Sequence, residues 1–320
     1  MSHFLWVPIN ENGMILDPNI ATEVLTTSRE PFAFTDVFIY AHGWWTTASS
    51  AASDYNIFSI GCARTFQLLG ARDPDRCRML SAAFSPLAMG IHWPSMISES
   101  QSSIANFLEA ATFFTMQQRA DSVGRHAGHS LLRLIIEAHR ERPLRLNLIG
   151  HSFGCRVLLS ALEALANDPE SLAIADSFEF NVVLLQAAAD ADSLARGQLY
   201  GDVQSRIRRL RMLVTISDHD TALALWYPRA QELAHLFSRS TLAMGTTGPT
   251  GDLAISVGER LPVSPSDAVP RFSSALSVAD LTPLHEWHKA TYGASGWAGQ
   301  HSDINLTQVY ELLALFFGSP

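Results

Sequence analysis

The sequence predicts an α/β fold, a mainly parallel sheet with helices on both faces, and three observations predict it. Strand-like apolar runs alternate with segments whose apolar residues recur at spacings of three and four. The run F-N-V-V-L-L-Q-A at 180–187 is apolar almost throughout, as a strand buried on both faces must be. The chain has 320 residues and is 47% hydrophobic, enough to bury one large core, so 1–320 is read as a single domain.

The first strand is read at 37–41 (V-F-I-Y-A), running into His42-Gly43, and a second at 78–84, before Ser85-Pro86. Ala120, Val123, Ala127, Leu131, Leu134, Ile135 and Ala138 keep helical spacing, and Pro143 stands beyond their end. A strand follows at 144–149 (L-R-L-N-L-I). Behind it comes a helix with the stripe Val157, Leu158, Leu162 and Leu165, which stops near Asn167-Asp168-Pro169. Further strands are read at 180–187, 211–217 and 275–279, and an amphipathic helix runs through Leu306, Val309, Tyr310, Leu313 and Phe316. Two stretches depart from a minimal α/β pattern, 85–116 and 225–272, and one of them is expected to roof a pocket as a lid or cap. The glycines at 245–251 lack the Lys-Ser/Thr of a phosphate loop and read as loop.

Composition narrows the partners. The net charge is −9, only 17% of residues are charged, and no basic run exceeds 206–211, so nucleic acid is not an expected partner. Residues 1–10 show no signal-peptide pattern, and no apolar stretch reaches the roughly 20 residues of a membrane span. Cys62, Cys77 and Cys155 cannot all pair within one chain and lack metal-ligand spacing, which favours a reducing compartment. The expectation is a cytoplasmic protein with no membrane span.

Chemistry concentrates at Gly150-His151-Ser152-Phe153-Gly154, between the strand at 144–149 and an apolar helix. A sharp strand-to-helix turn leaves no room for bulky flanking side chains, hence the glycines, and it lifts the serine hydroxyl from the sheet's carboxyl edge. The strand at 211–217 runs into Asp218-His219-Asp220, which would place a carboxylate on that same edge or cap the next helix. Asp190 and Asp192 stand behind the strand at 180–187. Later histidines are His235, His285, His288 and His301. His285 and His288 form H-E-W-H, which is not the H-E-x-x-H of a zinc protease, so no metal is expected. His301 lies in a loop that opens onto the last helix.

These features, with His42-Gly43 behind an early strand, resemble the α/β-hydrolase superfamily on its serine esterase and lipase-like side, across about residues 36–317. The resemblance implies an α/β-hydrolase fold with about eight strands, a Ser-His-Asp triad and no cofactor. In that family acid and base follow the serine in chain order. This implies Ser152 as nucleophile, His301 as base and Asp220 as acid, with Asp218 second and Asp190 or Asp192 third. It also implies an oxyanion hole made by the N–H groups of Trp44, or in its place Gly43, and of Phe153. His42 is expected to brace its loop. Trp45, His151 and Trp93 are expected to contact substrate, with one of Trp44 and Trp45 packed inward and the other walling the pocket. The expected activity is hydrolysis of a small-molecule carboxylic ester or similar acyl compound. Acyl transfer by the same triad, or a non-catalytic binding protein on this fold, are the alternatives.

Overall fold

A computed structural model describes residues 3–29, 34–72, 84–96, 110–229, 242–266, 272, 274–293 and 299–318. Eight strands form one sheet: β1 (His3–Pro8), β2 (Asp36–Ala41), β3 (Pro86–His92), β4 (Arg145–His151), β5 (Glu179–Leu185), β6 (Leu210–Ile216), β7 (Val257–Pro262) and β8 (Leu276–Asp280). Their order is β1-β3-β2-β4-β5-β6-β8-β7, and every neighbouring pair is parallel. The architecture is the α/β one that the sequence predicts and is consistent with an α/β-hydrolase fold.

A strand sends successive side chains to opposite faces, so a sheet covered on both sides needs apolar residues at consecutive positions. In β2, Val37, Ile39 and Ala41 join one core while Phe38 and Tyr40 join the other; in β5, Val182 and Leu184 divide from Val183 and Leu185 in the same way. The first core is closed by the helix Phe153–Ala166 and by a helical run across it. That run comprises Ala110–Val123, a π-helical turn Gly124–Gly128, and His129–Ala138. The second core is closed by the helices Ala48–Arg72 and Thr307–Gly318, which pack on each other.

Two expectations need correction. Residues 78–83 of the second expected strand lie outside the described residues, and Phe84 stands before the strand that does form, β3. This strand is an interior one, paired with both β1 and β2. The stretch 85–116 is therefore not one lid: it begins in the sheet and ends in the helix Ala110–Val123, with 97–109 outside the described residues. The β3 signal is weak because Ala88 and Gly90 alternate with Leu87, Met89 and Ile91, so the centre of one face carries little side chain. The stretch 225–272 likewise supplies β7, an edge strand, while 230–241 and 267–271 lie outside the described residues. With Glu259, Arg260 and Pro262 in six largely exposed residues, β7 has the composition that blunts a sheet edge and hides a strand from pattern reading.

Candidate active site

The turn between β4 and the helix Phe153–Ala166 consists of Ser152 alone, at φ 55° and ψ −123°. A side chain in that left-handed region costs about 1–3 kcal/mol, so the surroundings must hold it there. They do so through the backbone. Ser152 N–H donates to Leu185 O at 3.0 Å, and Ser152 O accepts from Cys155 N at 3.1 Å and Ala188 N at 3.2 Å. The flanking glycines are required by space: a Cβ on Gly154 would fall 2.0 Å from Ala41 O, and one on Gly150 2.7 Å from Cys155 Cα.

From this turn a hydrogen-bonded chain crosses the carboxyl edge of the sheet. Ser152 Oγ lies 2.8 Å from His301 Nε2, and His301 Nδ1 lies 2.7 Å from Asp220 Oδ2. Asp220 is fully buried; its Oδ1 accepts Leu223 N–H at 3.0 Å, so the carboxylate also caps the turn Ala222–Trp226 that follows. The loop carrying His301 is tied down at both sides. Gln300 N–H donates to His219 O at 3.1 Å, and His301 O accepts His151 Nε2–H at 2.9 Å. Burial holds His151 neutral, its pKa pushed down to about 3.

One partner in this network has no counterpart in the sequence reading. Gln186, fully buried one residue beyond β5 and at φ 45°, donates Nε2–H both to Asp220 Oδ2 at 3.2 Å and to Gln300 O at 3.1 Å. Its available signal was a single amide ending an apolar strand at the sheet edge that bears the serine. Gln186 thus joins the acid to the histidine's loop.

The other acids and histidines stand elsewhere. Asp218 is exposed, with its N–H on Thr282 Oγ1. Asp190 accepts from the Tyr227 hydroxyl at 2.8 Å. His285 is fully buried against Ser217 Oγ at 2.8 Å, and His288 pairs with Asp303 at 2.8 Å. His235 lies outside the described residues.

The loop after β2 is braced from below. Buried His42, its pKa lowered to about 3 by desolvation, donates Nδ1–H to Gly43 O at 2.8 Å and accepts Trp93 N–H at Nε2, 3.3 Å away. Trp93 stacks on His42 and donates its indole N–H to His42 O at 2.9 Å. It is fully buried and does not line the cleft, which corrects its expected contact with substrate. Trp44 and Trp45 both line the cleft, and Trp44 also packs against the first core. Trp45 sits at φ 59°, so this backbone is not the extended segment on which adjacent side chains oppose one another. Trp45 N–H is taken by Ser95 O at 3.3 Å. Phe153 N–H opens a helix, where the first-turn donors have no partner within the helix. The cleft encloses about 400 Å³ over Ser152, with Trp44, Trp45, Phe113, Phe153 and Tyr227 among its walls.

Residues 70–219 match a family model described as a protein of unknown function, DUF726. That stretch holds Ser152 and ends one residue before Asp220. No curated protein matches the chain. Among solved structures it is similar to LpqC, a poly(3-hydroxybutyrate) depolymerase from Bordetella parapertussis. The identity is 14%, the match covers 62% of this chain and 61% of that one, and the TM-score is 0.27. Among the described residues no helix is long and apolar enough to cross a membrane.

Proposed function

We propose that the protein is a serine hydrolase that cleaves a carboxylic ester or similar small acyl compound. The observation that carries this reading is the continuous chain Ser152 Oγ, His301, Asp220, with contacts of 2.8 and 2.7 Å, on a serine held at positive φ. A scaffold does not need a serine hydroxyl hydrogen-bonded to an imidazole that a buried carboxylate orients; acyl transfer does.

In this reading His301 Nε2 takes the Ser152 proton as Oγ attacks the substrate carbonyl. Asp220 holds Nδ1–H, which fixes the tautomer and stabilises the imidazolium that forms. The N–H groups of Phe153 and Trp44 receive the oxyanion. The imidazolium then protonates the leaving alkoxide, and the serine is left acylated. Water, deprotonated by His301, attacks the acyl-enzyme, and the carboxylic acid leaves as Ser152 regains its proton. His151 is assigned a positioning role through the carbonyl of His301, and Trp45 a place in the substrate wall.

The test is labelling of the folded protein with a fluorophosphonate, together with hydrolysis of p-nitrophenyl esters of graded chain length. Labelling lost in Ser152→Ala, with ester turnover in the unchanged chain, is the expected result. Folded protein that neither labels nor turns over any ester would overturn the reading.

A further inference from the structure

The cleft over Ser152 has one wall of a distinct chemical character. It lies where the sheet meets the first turns of the helix Ala48–Arg72, which contribute Ser50 and Asp54, with Tyr40 beside them on β2. Apart from histidines, Asp54 is the one acidic or basic side chain among the described residues that line the cleft. Two of those histidines, His42 and His151, are neutral because burial lowers both to about 3.

Asp54 is partly buried, and its pKa is raised by desolvation, with no cation among the described residues drawing it back. Its charge is felt at Tyr40 and at Tyr55, and the rings of these two meet edge to face at 4.8 Å. A carboxylate that is partly stripped of water and lacks a cationic partner is stabilised by an arriving positive charge. Aromatic walls reinforce that preference, because ring faces attract cations, more strongly where water is excluded. Trp44, Trp45 and Tyr40 all line this cleft.

On the serine-hydrolase reading above, we propose that this cleft selects acyl substrates bearing a positively charged group, an ammonium or quaternary ammonium. The cation sits against Asp54 and the neighbouring aromatic rings while the acyl carbonyl lies at Ser152. The same carboxylate repels substrates that carry a negative charge. Asp54 is thus a specificity-determining residue that takes no part in proton transfer.

The test compares three p-nitrophenyl esters of matched size: one with a trimethylammonium-tipped acyl chain, its isostere with carbon in place of nitrogen, and one tipped by a carboxylate. The expected order of kcat/KM is cationic, neutral, anionic, with the cationic ester preferred at least tenfold over its isostere, mainly through KM. In the unchanged protein that ratio should shrink as ionic strength rises. Asp54→Asn should bring it near one, and Asp54→Lys should invert it towards the anionic ester. A ratio near one in the unchanged protein, or one that persists in Asp54→Asn, overturns the proposal. Binding of tetramethylammonium, followed by tryptophan fluorescence in Ser152→Ala and in Ser152→Ala with Asp54→Asn, separates this proposal from the reading beneath it. Asp54-dependent binding without fluorophosphonate labelling sinks the hydrolase reading and keeps the cation site. Labelling without such binding does the reverse.

Discussion

Replacing Gln186 tests whether the Asp220 carboxylate is held in place or merely present. Gln186 Nε2 serves two acceptors, Asp220 Oδ2 at 3.2 Å and Gln300 O at 3.1 Å, while its buried Oε1 has no hydrogen-bond partner among the described residues. Gln186→Leu keeps an unbranched Cβ at φ 45° and nearly the same volume, but removes both donations. A hydrogen bond to a charged group contributes about 1.5–3 kcal/mol and one to a neutral carbonyl about 1 kcal/mol. Eliminating the unpartnered Oε1 returns about 1 kcal/mol, so the net loss of stability is about 1.5–3 kcal/mol. Among the described residues the Asp220 carboxylate then keeps only Leu223 N–H and His301, its Oδ2 less firmly aimed, and the histidine loop loses its tie through Gln300. We expect kcat/KM on a p-nitrophenyl ester to fall about tenfold to hundredfold, equivalent to about 1.4–2.8 kcal/mol, carried by kcat rather than KM. Urea unfolding of the same preparations supplies the stability half. A variant that unfolds normally yet retains kcat/KM within about twofold of the unchanged protein would refute the argument. So would a loss as deep as that of Asp220→Asn, because Gln186 would then be acting on more than the acid.

Ser152→Ala should lower ester turnover by about a millionfold, leaving what binding and the oxyanion donors supply, as steady-state rates on the best ester would measure. Ser152→Gly should be as inactive yet about 1 kcal/mol more stable than Ser152→Ala in urea unfolding, because glycine tolerates φ 55°; equal stabilities would mean the turn is unstrained. Asp220→Asn should reduce kcat by about four orders of magnitude and Asp218→Asn by less than about threefold; the reverse outcome reassigns the acid. Gly43→Ala puts a Cβ 2.9 Å from Ser152 Cβ and 3.3 Å from His151 Nδ1, and the loop shift needed to fit it should cost about a hundredfold in kcat. Acid should destabilise the fold through its buried histidines. His42 is held at about 3 and His285 at about 4, against 6.5 without burial, so below about pH 6.5 the unfolded chain binds protons that the folded one refuses. Each contributes about 2 kcal/mol of lost stability between about pH 7 and about pH 5, and His42→Gln should remove its share of that slope in urea titrations; an unchanged slope would count against it.

How legible the chain was depended on whether a residue's meaning was local. The strand-to-helix turn at Ser152 could be read because space forces glycine at positions 150 and 154 and the flanking runs are largely apolar. Strands β4, β5, β6 and β8 could be read for the same reason, each being buried on both faces. β3 was misplaced because Ala88 and Gly90 at its centre interrupt the apolar run, and β7 was missed because an edge strand carries charge and proline. Trp93 illustrates a different failure. A tryptophan near a catalytic motif reads alike whether it faces the cleft or stacks behind His42, and only the packing separates these. Gln186 fails in yet another way. Its importance comes from two acceptors, one 34 positions away and the other 114, and no pattern within its own segment encodes either.

The position of His301 has a consequence in time as well as in space. Ser152 lies between two elements adjacent in sequence, but His301 reaches it only when the loop ahead of the helix Thr307–Gly318 is seated against the segment His219–Asp220 beyond β6 and that helix has docked on Ala48–Arg72. Parallel strands joined by long crossovers already close slowly. In a refolding experiment, helical signal should therefore return before Ser152 becomes reactive. The rate at which the serine regains its reactivity then reports the closing step of folding, one that no spectroscopic probe of helix content would see.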